Sequence, residues 1–309
     1  MSDTVKGAVF GLGAAAIWGS LYVVADIVLD TIPPFTLLLI RLVIGIAILG
    51  AVAYRTSGGL LGGGATRRQI MQVLAIGFIG FGISIGLQFV GTEKSTAVNG
   101  TLITSAAPAF ILIFAAFILR EKLTLQRIAA VVLATIGVIV IIDPAKADFG
   151  SQTFMGDVAL AGAAITWGLY SVLVRKVSAR LDTLHVTLLA LIGGLFLTVP
   201  ATAVELSQRP IGPLTPGIIL GALYLSTVAM AGAMWMWNRA FALVDASVAS
   251  LFFFAQPFVG TILSVLILNQ QITANLAIGS ALIIGGVVLS LIQFEARGAK
   301  SKLPASKTS

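Results

Sequence analysis

Two tryptophans lie deep within apolar segments, and each is followed four residues later by a side chain that carries a hydroxyl. Trp18 precedes Tyr22, and Trp167 precedes Ser171. Residues four apart share one face of a helix. Both indoles stand about two-thirds of the way along their segments, away from the ends where aromatic anchors meet a membrane surface. We therefore predict that these four side chains line an internal cavity and contact a bound molecule, in preference to lipid.

Three amide side chains form a second group of binding candidates. Gln88, Asn99 and Gln256 lie in or beside apolar stretches, where an unpaired amide is costly. The serines and threonines of the same stretches are weaker candidates, because such residues are typical of contacts between helices. Trp237 is a further candidate. It stands with Trp235 near the end of a segment, where we expect at least one of the two to be a membrane-surface anchor.

Two prolines interrupt apolar segments at corresponding places. Pro108 and Pro257 each remove a backbone hydrogen bond and clash with the preceding turn, so each helix should kink or break there. The freed carbonyls of Thr104 and Phe253 could be met by Ser105, by Gln256 or by a substrate. Two interpretations stay open: a static kink around a cavity, or a hinge that lets part of each helix swing.

Arg41 is a charged residue inside an apolar segment. It lies about eight residues from the start of that segment, roughly 12 Å deep at 1.5 Å per residue. A charge at that depth must face protein or water, which makes it a candidate for function. It could bind a substrate carboxylate, or it could tie its helix to carbonyls of a neighbour or extend to the membrane surface. We favour the structural interpretation.

The composition indicates that these residues lie in membrane-spanning helices. Apolar residues make up 58% of the chain and charged residues 10%, which no ordinary soluble domain matches. Stretches of about 20 apolar residues, the length of a membrane-spanning helix, recur throughout. We predict an all-α integral membrane protein with ten spans, at 5–25, 33–54, 70–91, 95–119, 125–142, 155–174, 184–204, 215–237, 246–268 and 273–293.

The positive charges set the orientation of these spans. With the N-terminus inside, fifteen lysines and arginines fall on the cytoplasmic side and three outside, with Arg41 within a span. Cytoplasmic loops carry the excess of positive charge, so both termini are predicted to be cytoplasmic. The same placement explains the net charge of +7 without nucleic acid.

The sequence repeats itself at an offset of 149 residues. Trp18-Gly19 matches Trp167-Gly168, and Pro108 matches Pro257. Each half holds five predicted spans, so the second half enters the membrane from the opposite side, as in inverted-repeat transporters. We predict a first repeat at 1–149, a second at 150–294 and a disordered cytoplasmic tail at 295–309. A monomer is expected.

The chemistry of catalysis is missing from the spans. The chain has no cysteine and one histidine, and no acid falls clearly in the middle of a span. We predict no catalytic residues, no metal site and no cofactor, because an intramembrane enzyme would need a convergent nucleophile and base or a metal cluster. Tight proton coupling is also disfavoured, since it usually needs an embedded carboxylate or histidine.

These marks together resemble the EamA type of the drug/metabolite transporter superfamily, which has ten helices in two five-helix repeats. The marks are the two Trp-Gly helices, Arg41, and Ala97 followed by Pro108 and Glu121. The chain is most similar to the YddG branch, whose members export aromatic and other neutral amino acids. It departs from the pattern at Gln270, where an acid would match Glu121, and at Ala190, the counterpart of Arg41.

The resemblance and the residues predict one function. We expect a carrier in the cell (inner) membrane that exports small neutral metabolites, above all aromatic or neutral amino acids, by alternating access around a midplane cavity. Rings offer stacking surface, and amides meet ammonium and carboxylate groups. The alternatives are facilitative or proton-coupled transport of drugs, sugars or nucleobases. An intramembrane enzyme or a structural scaffold ranks far below them.

Overall fold

The described part of the chain consists of helices joined by short loops. The computed structural model describes residues 3–57, 59, 65–120, 125–142, 151–178, 181–244, 249, 252–253, 255–269, 271–282, 284–285 and 289, and these contain no strand. The predicted tail at 295–309 lies outside them. The elements before the second repeat are α1 (Asp3–Leu29), α2 (Pro34–Ser57), α3 (Arg67–Gly77), a π-helical segment (Phe78–Ser84), α4 (Ile85–Lys94), α5 (Ala97–Thr104), α6 (Ala107–Ile118) and α7 (Leu125–Ile142).

The second repeat follows the same order. It contains α8 (Gln152–Ser178), α9 (Thr183–Gln208), α10 (Pro216–Ser226), a second π-helical segment (Thr227–Gly232), α11 (Ala233–Leu243), α12 (Ala255–Leu268) and α13 (274–282). The bounds themselves repeat at 149 residues: α1 begins at 3 and α8 at 152, while α3 begins at 67 and α10 at 216. The repeat seen in the sequence is therefore also a repeat of helices.

Seven helical stretches in the described residues are long and apolar enough to cross a membrane. They contain 22 to 28 residues each and match predicted spans one to four and six to eight: Val5–Leu29, Pro34–Thr56, Arg67–Lys94, Ala97–Ile118, Gln152–Ser178, Thr183–Gln208 and Pro216–Leu243. The other three predicted spans contain α7, α12 and α13. The all-helical membrane class is confirmed, and the full count of ten stays a prediction.

Both proline-bearing segments begin a new helix next to the proline. In the first segment α5 ends at Thr104 and α6 begins at Ala107. Pro108 therefore lies in the first turn of α6, where a backbone N–H would have no partner within the helix. In the second segment α12 starts at Ala255, two residues before Pro257. Ser105 Oγ donates to the Thr101 carbonyl at 2.5 Å rather than to the carbonyl of Thr104.

The two π-helical segments are a feature that the sequence analysis missed. They begin at Phe78 and Thr227, which are 149 residues apart, within the third and eighth spans. A π segment widens the turn and disturbs the regular hydrogen bonds of a helix, often at functional sites. The second segment turns the Ala229 carbonyl toward the indole of Trp18, whose Nε1 donates to it at 3.0 Å.

The helices pack with twofold pseudosymmetry. α1 packs against α11 and α12 of the second repeat, and its counterpart α8 packs against α4 and α6 of the first, while α2 packs against α9. Glycines make the closest crossings possible. A Cβ on Gly19 would lie 2.9 Å from the Gly260 nitrogen of α12, and one on Gly168 would lie 3.1 Å from the Ile111 nitrogen of α6. Each Trp-Gly pair thus places its glycine against a proline-broken helix.

Candidate functional site

A cavity lies where these crossings meet. Its lining has no charged residue: Trp18, Leu21, Tyr22, Ser84, Ile85, Gln88, Thr104, Ala163, Ala164, Trp167, Met234, Phe253 and Gln256. Both repeats contribute to the lining. The last residue of α5, Thr104, and the second residue of α12, Gln256, are among the lining residues, so both proline-bearing segments reach the cavity. The cavity volume is about 30 Å³, room for one or two water molecules.

One group of lining residues, the polar cluster, consists of Tyr22, Gln88, Thr104 and Gln256. Gln88 Nε2 donates to the Tyr22 hydroxyl at 2.5 Å, and that hydroxyl bonds Thr104 Oγ1 at 2.6 Å. Thr104 Oγ1 donates to the Gly100 carbonyl at 2.6 Å and accepts from Gln256 Nε2 at 3.0 Å. The proton of Thr104 is thereby committed, so Tyr22 is the donor in its bond to Thr104.

The other group, the aromatic cluster, consists of Trp18, Trp167, Trp237 and Phe253. The ring of Trp18 lies 5.5 Å from that of Trp167 and 5.2 Å from that of Trp237 between centroids. Phe253 lies 4.9 Å from Trp237, edge to face. Trp237 is fully buried against the ring of Trp18 and is not a membrane-surface anchor. Such pairs stabilise a rigid apolar wall.

The repeat relates two members of the polar cluster to two members of the aromatic cluster. Gln88 is 149 residues before Trp237, and Thr104 is 149 residues before Phe253. Tyr22 has Ser171 as its counterpart. The amide of Gln88 thus corresponds to an indole, and the hydroxyl of Thr104 to a phenyl ring. The phenol of Tyr22 corresponds to a small aliphatic hydroxyl. The pseudosymmetric frame therefore supports a chemically asymmetric site.

Several polar atoms at this site have no hydrogen-bond partner among the described residues. Within the lining they are Gln88 Oε1, an acceptor, and Trp167 Nε1, a donor; behind it they are Ser171 Oγ and Trp237 Nε1. Buried polar atoms are rarely left unsatisfied, and such an atom calls for an explanation. A ligand or water entering the cavity would find one free acceptor and one free donor on its walls.

The structure brings together five of the eight residues predicted to bind substrate. Trp18, Tyr22, Gln88, Trp167 and Gln256 all line the cavity. Trp237 and Ser171 are buried behind that lining. Asn99 lies elsewhere: its Nδ2 donates to the Asp157 carboxylate at 3.1 Å and to Ser95 Oγ at 3.2 Å, and Ser95 Oγ also donates to Asp157. Asn99 thus joins α5 to α8 away from the lining.

Thr104 and Phe253 are lining residues that were not among the predicted binding residues. The sequence indicates a role only for their carbonyls, which are predicted to lose a hydrogen bond because each residue precedes a proline by four positions. Their equivalence at the 149-residue offset could have indicated that their side chains meet at one place. Arg41 does not line the cavity. It is fully buried, and its Nε donates to the Leu225 carbonyl at 2.9 Å.

The described residues hold no cluster of three or more histidine, cysteine, aspartate or glutamate side chains that could bind a metal ion. The lining offers uncharged hydrogen-bonding groups and aromatic faces instead. Such a site can recognise and hold a small molecule, since ligand sites are typically apolar walls with a few placed polar groups.

Comparison with known proteins agrees with the repeated architecture. The EamA-like transporter family matches residues 5–143 and again residues 154–292. The uncharacterized transporter YyaM of Bacillus subtilis is 31% identical over 232 residues, covering 72% of this chain and 73% of the relative. YetK of the same organism is 26% identical over 93% of this chain and 87% of its own length.

More distant similarity extends along nearly the whole chain. An uncharacterized transporter of Archaeoglobus fulgidus is 24% identical over 275 residues, or 89% of this chain and 93% of the relative. A solved crystal structure shares the fold with a TM-score of 0.70 at 23% identity, over 94% of this chain and 98% of that one.

These matches account for the apolar helices, the repeat and the cavity together. The family and its relatives are transporters, not enzymes. With seven such helices in its described residues alone, the chain is a multi-pass membrane protein of the cell (inner) membrane. It acts on a small-molecule substrate within the lipid bilayer. With both halves matched by the same family, this chain belongs to the EamA-like transporter family.

Proposed function

We propose that this transporter exports aromatic and other neutral amino acids by alternating access around the cavity between its repeats. The observation that carries the proposal is the meeting of the polar cluster and the aromatic cluster in an uncharged lining. A neutral amino acid is itself divided in this way, with a charged head and an apolar side chain. Each part would find a complementary surface in the same site.

The chemistry of each cluster fits one end of that substrate. The free Gln88 Oε1 can accept a charge-assisted hydrogen bond from the ammonium group. The side chain of the substrate would pack against Trp18, Trp167 and Phe253, since aromatic pairs add to the gain from apolar burial. Sugars and nucleobases lack this combination of a cationic head with an apolar tail.

Transport requires the cavity to widen. Its volume of about 30 Å³ is far below the roughly 300–1,000 Å³ of sites that enclose small ligands. The bond between Gln256 and Thr104 links the ends of the two broken helices across the site. We propose that α5 and α12 separate here as the repeats rock, with Pro108 and Pro257 as hinges.

The proposed topology has ten spans in two inverted repeats, with both termini cytoplasmic. The chain has no cysteine, so single substitutions can report sidedness directly. Tyr54 and Leu214 are both well exposed, at 68% and 55%. An impermeant thiol reagent added outside cells should label Leu214→Cys and spare Tyr54→Cys. The reverse pattern would overturn the orientation.

A flux assay separates the proposal from its alternatives. Purified protein in liposomes should move labelled phenylalanine, tryptophan or leucine faster than sugars, nucleobases or a cationic drug. The rate should not depend on an imposed pH gradient if movement is facilitative. Flux of sugars or nucleobases without amino acids would refute the substrate class, and strict dependence on the pH gradient would favour proton coupling. Size measurement of the same preparation tests the proposed monomer.

A further inference from the structure

Arg41 carries binding capacity that the fold does not use. Its side chain is fully buried, with Nε bonded to the Leu225 carbonyl and Cζ 4.7 Å from the centre of the Phe89 ring. Within the part of the chain that the structure describes, Nη1 and Nη2 have no hydrogen-bond partner and no carboxylate pairs with the guanidinium. The four N–H bonds of these two nitrogens are therefore unsatisfied.

An unpaired guanidinium in the interior of a membrane protein is an expensive arrangement. Burial removes the hydration of the charge, and only an anion or several well-placed acceptors can replace it. Ionisable residues inside membrane helices accordingly mark substrate or ion sites by default. The Leu225 carbonyl and the Phe89 face together satisfy only part of the Arg41 charge.

The second repeat shows that the fold can close this helix crossing without an arginine. The counterpart of Arg41 is Ala190 on α9. There the backbones meet directly: a Cβ on Gly77 of α3 would lie 2.0 Å from the Ala190 carbonyl oxygen. Arg41 instead crosses to Leu225, next to Ser226, the counterpart of Gly77. Packing alone therefore does not require a charge at this position.

Arg41 contacts α4 at the residue that follows a member of the polar cluster. Phe89, whose ring it covers, directly follows Gln88 in α4, and Gln88 holds the free acceptor in the lining. The lining itself contributes no charge. A carboxylate bound among these residues would have Arg41 as a neighbouring cation.

We infer that Arg41 is the carboxylate-binding residue of this transporter and makes it selective for amino acids over the corresponding amines. The inference rests on the proposed function and adds to it the group that the site selects. When the cavity widens, Nη1 and Nη2 take the two carboxylate oxygens in the paired geometry that guanidinium groups favour. Gln88 Oε1 then accepts from the ammonium group.

The test compares phenylalanine with phenethylamine, which lacks only the carboxylate. Initial rates of both are measured in liposomes for the unsubstituted protein and for Arg41→Gln. The unsubstituted protein should prefer phenylalanine. Arg41→Gln should slow phenylalanine by about tenfold or more, the size expected for lost hydrogen bonds to a charged group, and change phenethylamine by less than about twofold. Tryptophan fluorescence of the protein gives the same comparison for binding.

Two further variants separate binding from structure. Arg175→Gln is the matched control, since Arg175 Nη1 donates to the Phe241 and Val244 carbonyls, at 2.6 and 2.5 Å, outside the lining. It should leave the ratio of the two rates unchanged. Arg41→Lys keeps the cation and loses the paired geometry, so it should retain part of the preference, and it serves if Arg41→Gln does not fold.

The outcomes are distinguishable. If the unsubstituted protein moves no amino acid, the proposed function fails and this inference fails with it. If it moves phenylalanine but the Arg41 variants slow both compounds equally, or slow neither, the amino-acid function stands and Arg41 has only a structural role. Loss confined to phenylalanine supports the inference.

Discussion

Two positions of the polar cluster correspond through the repeat to two positions of the aromatic cluster, and the side chains at these positions differ in almost every physical respect. Gln88 and Thr104 form a chain of hydrogen bonds through Tyr22, whereas their counterparts Trp237 and Phe253 pack as rings 4.9 Å apart. The apolar stretches that carry Gln88 and Trp237 begin at Arg67 and Pro216, which are 149 residues apart. The repeated frame therefore carries two chemically different surfaces around one cavity.

The difference has an energetic consequence. A ring in the aromatic cluster stabilises the fold by burial and also shapes the cavity, so its loss should affect both. A member of the polar cluster exchanges hydrogen bonds with water on unfolding and contributes little net stability. The two clusters should therefore separate into residues that hold the fold and residues that recognise substrate.

The largest expected effect is that of Trp237→Ala. The indole is fully buried against Trp18 and Phe253, so its removal should lower the free energy of unfolding by about 3–5 kcal/mol. Transport should fall with it. Denaturation in detergent followed by fluorescence measures the loss. Trp235→Ala is the control, because Trp235 is only partly buried, edge-on to Phe10; equal losses would contradict the importance of the cluster.

Gln88→Leu should separate recognition from stability. The substitution replaces the amide with an apolar side chain of similar size. It removes the free acceptor Oε1 and the hydrogen bond to Tyr22. Amino-acid flux should fall about tenfold, the cost of one hydrogen bond to a charged group. Stability should change by less than about 1 kcal/mol. Gln72→Leu, on an exposed position of α3, is the matched control. A Gln88 variant with normal flux would remove Gln88 from the substrate site.

The smallest effect is expected at the hinges, and it tests whether the two repeats move alike. Pro257→Ala should slow transport on the order of a few-fold, because gating steps limit many such cycles, and it should leave the protein folded. Pro108→Ala makes the same change in the first repeat. Pro200→Ala, inside α9, is the control. Normal rates for both cavity prolines would leave only static kinks.

Features set by interactions within one or two helical turns could be predicted from the sequence, whereas contacts between residues far apart in the sequence could not. The proline breaks were predictable because a missing N–H and a steric clash act within one turn. The cavity positions of Trp18 and Tyr22 followed from helical spacing and depth. Asn99 shows the limit: its depth and chemistry resemble those of Gln88, but its partner Asp157 is 58 residues away in the sequence. Nothing local to either residue indicates that pairing.

The sequence by itself determined the membrane class, the repeat at 149 residues and the breaks at Pro108 and Pro257, because hydropathy, periodicity and proline chemistry are local properties. Only the tertiary structure decided which faces of the helices meet. It turned Trp18 toward the Ala229 carbonyl of a π-helical segment, joined Thr104 to Gln256 and left the outer nitrogens of Arg41 without partners. These outcomes depend on how each helix is rotated against neighbours distant in the sequence, and packing of the whole bundle fixes that rotation.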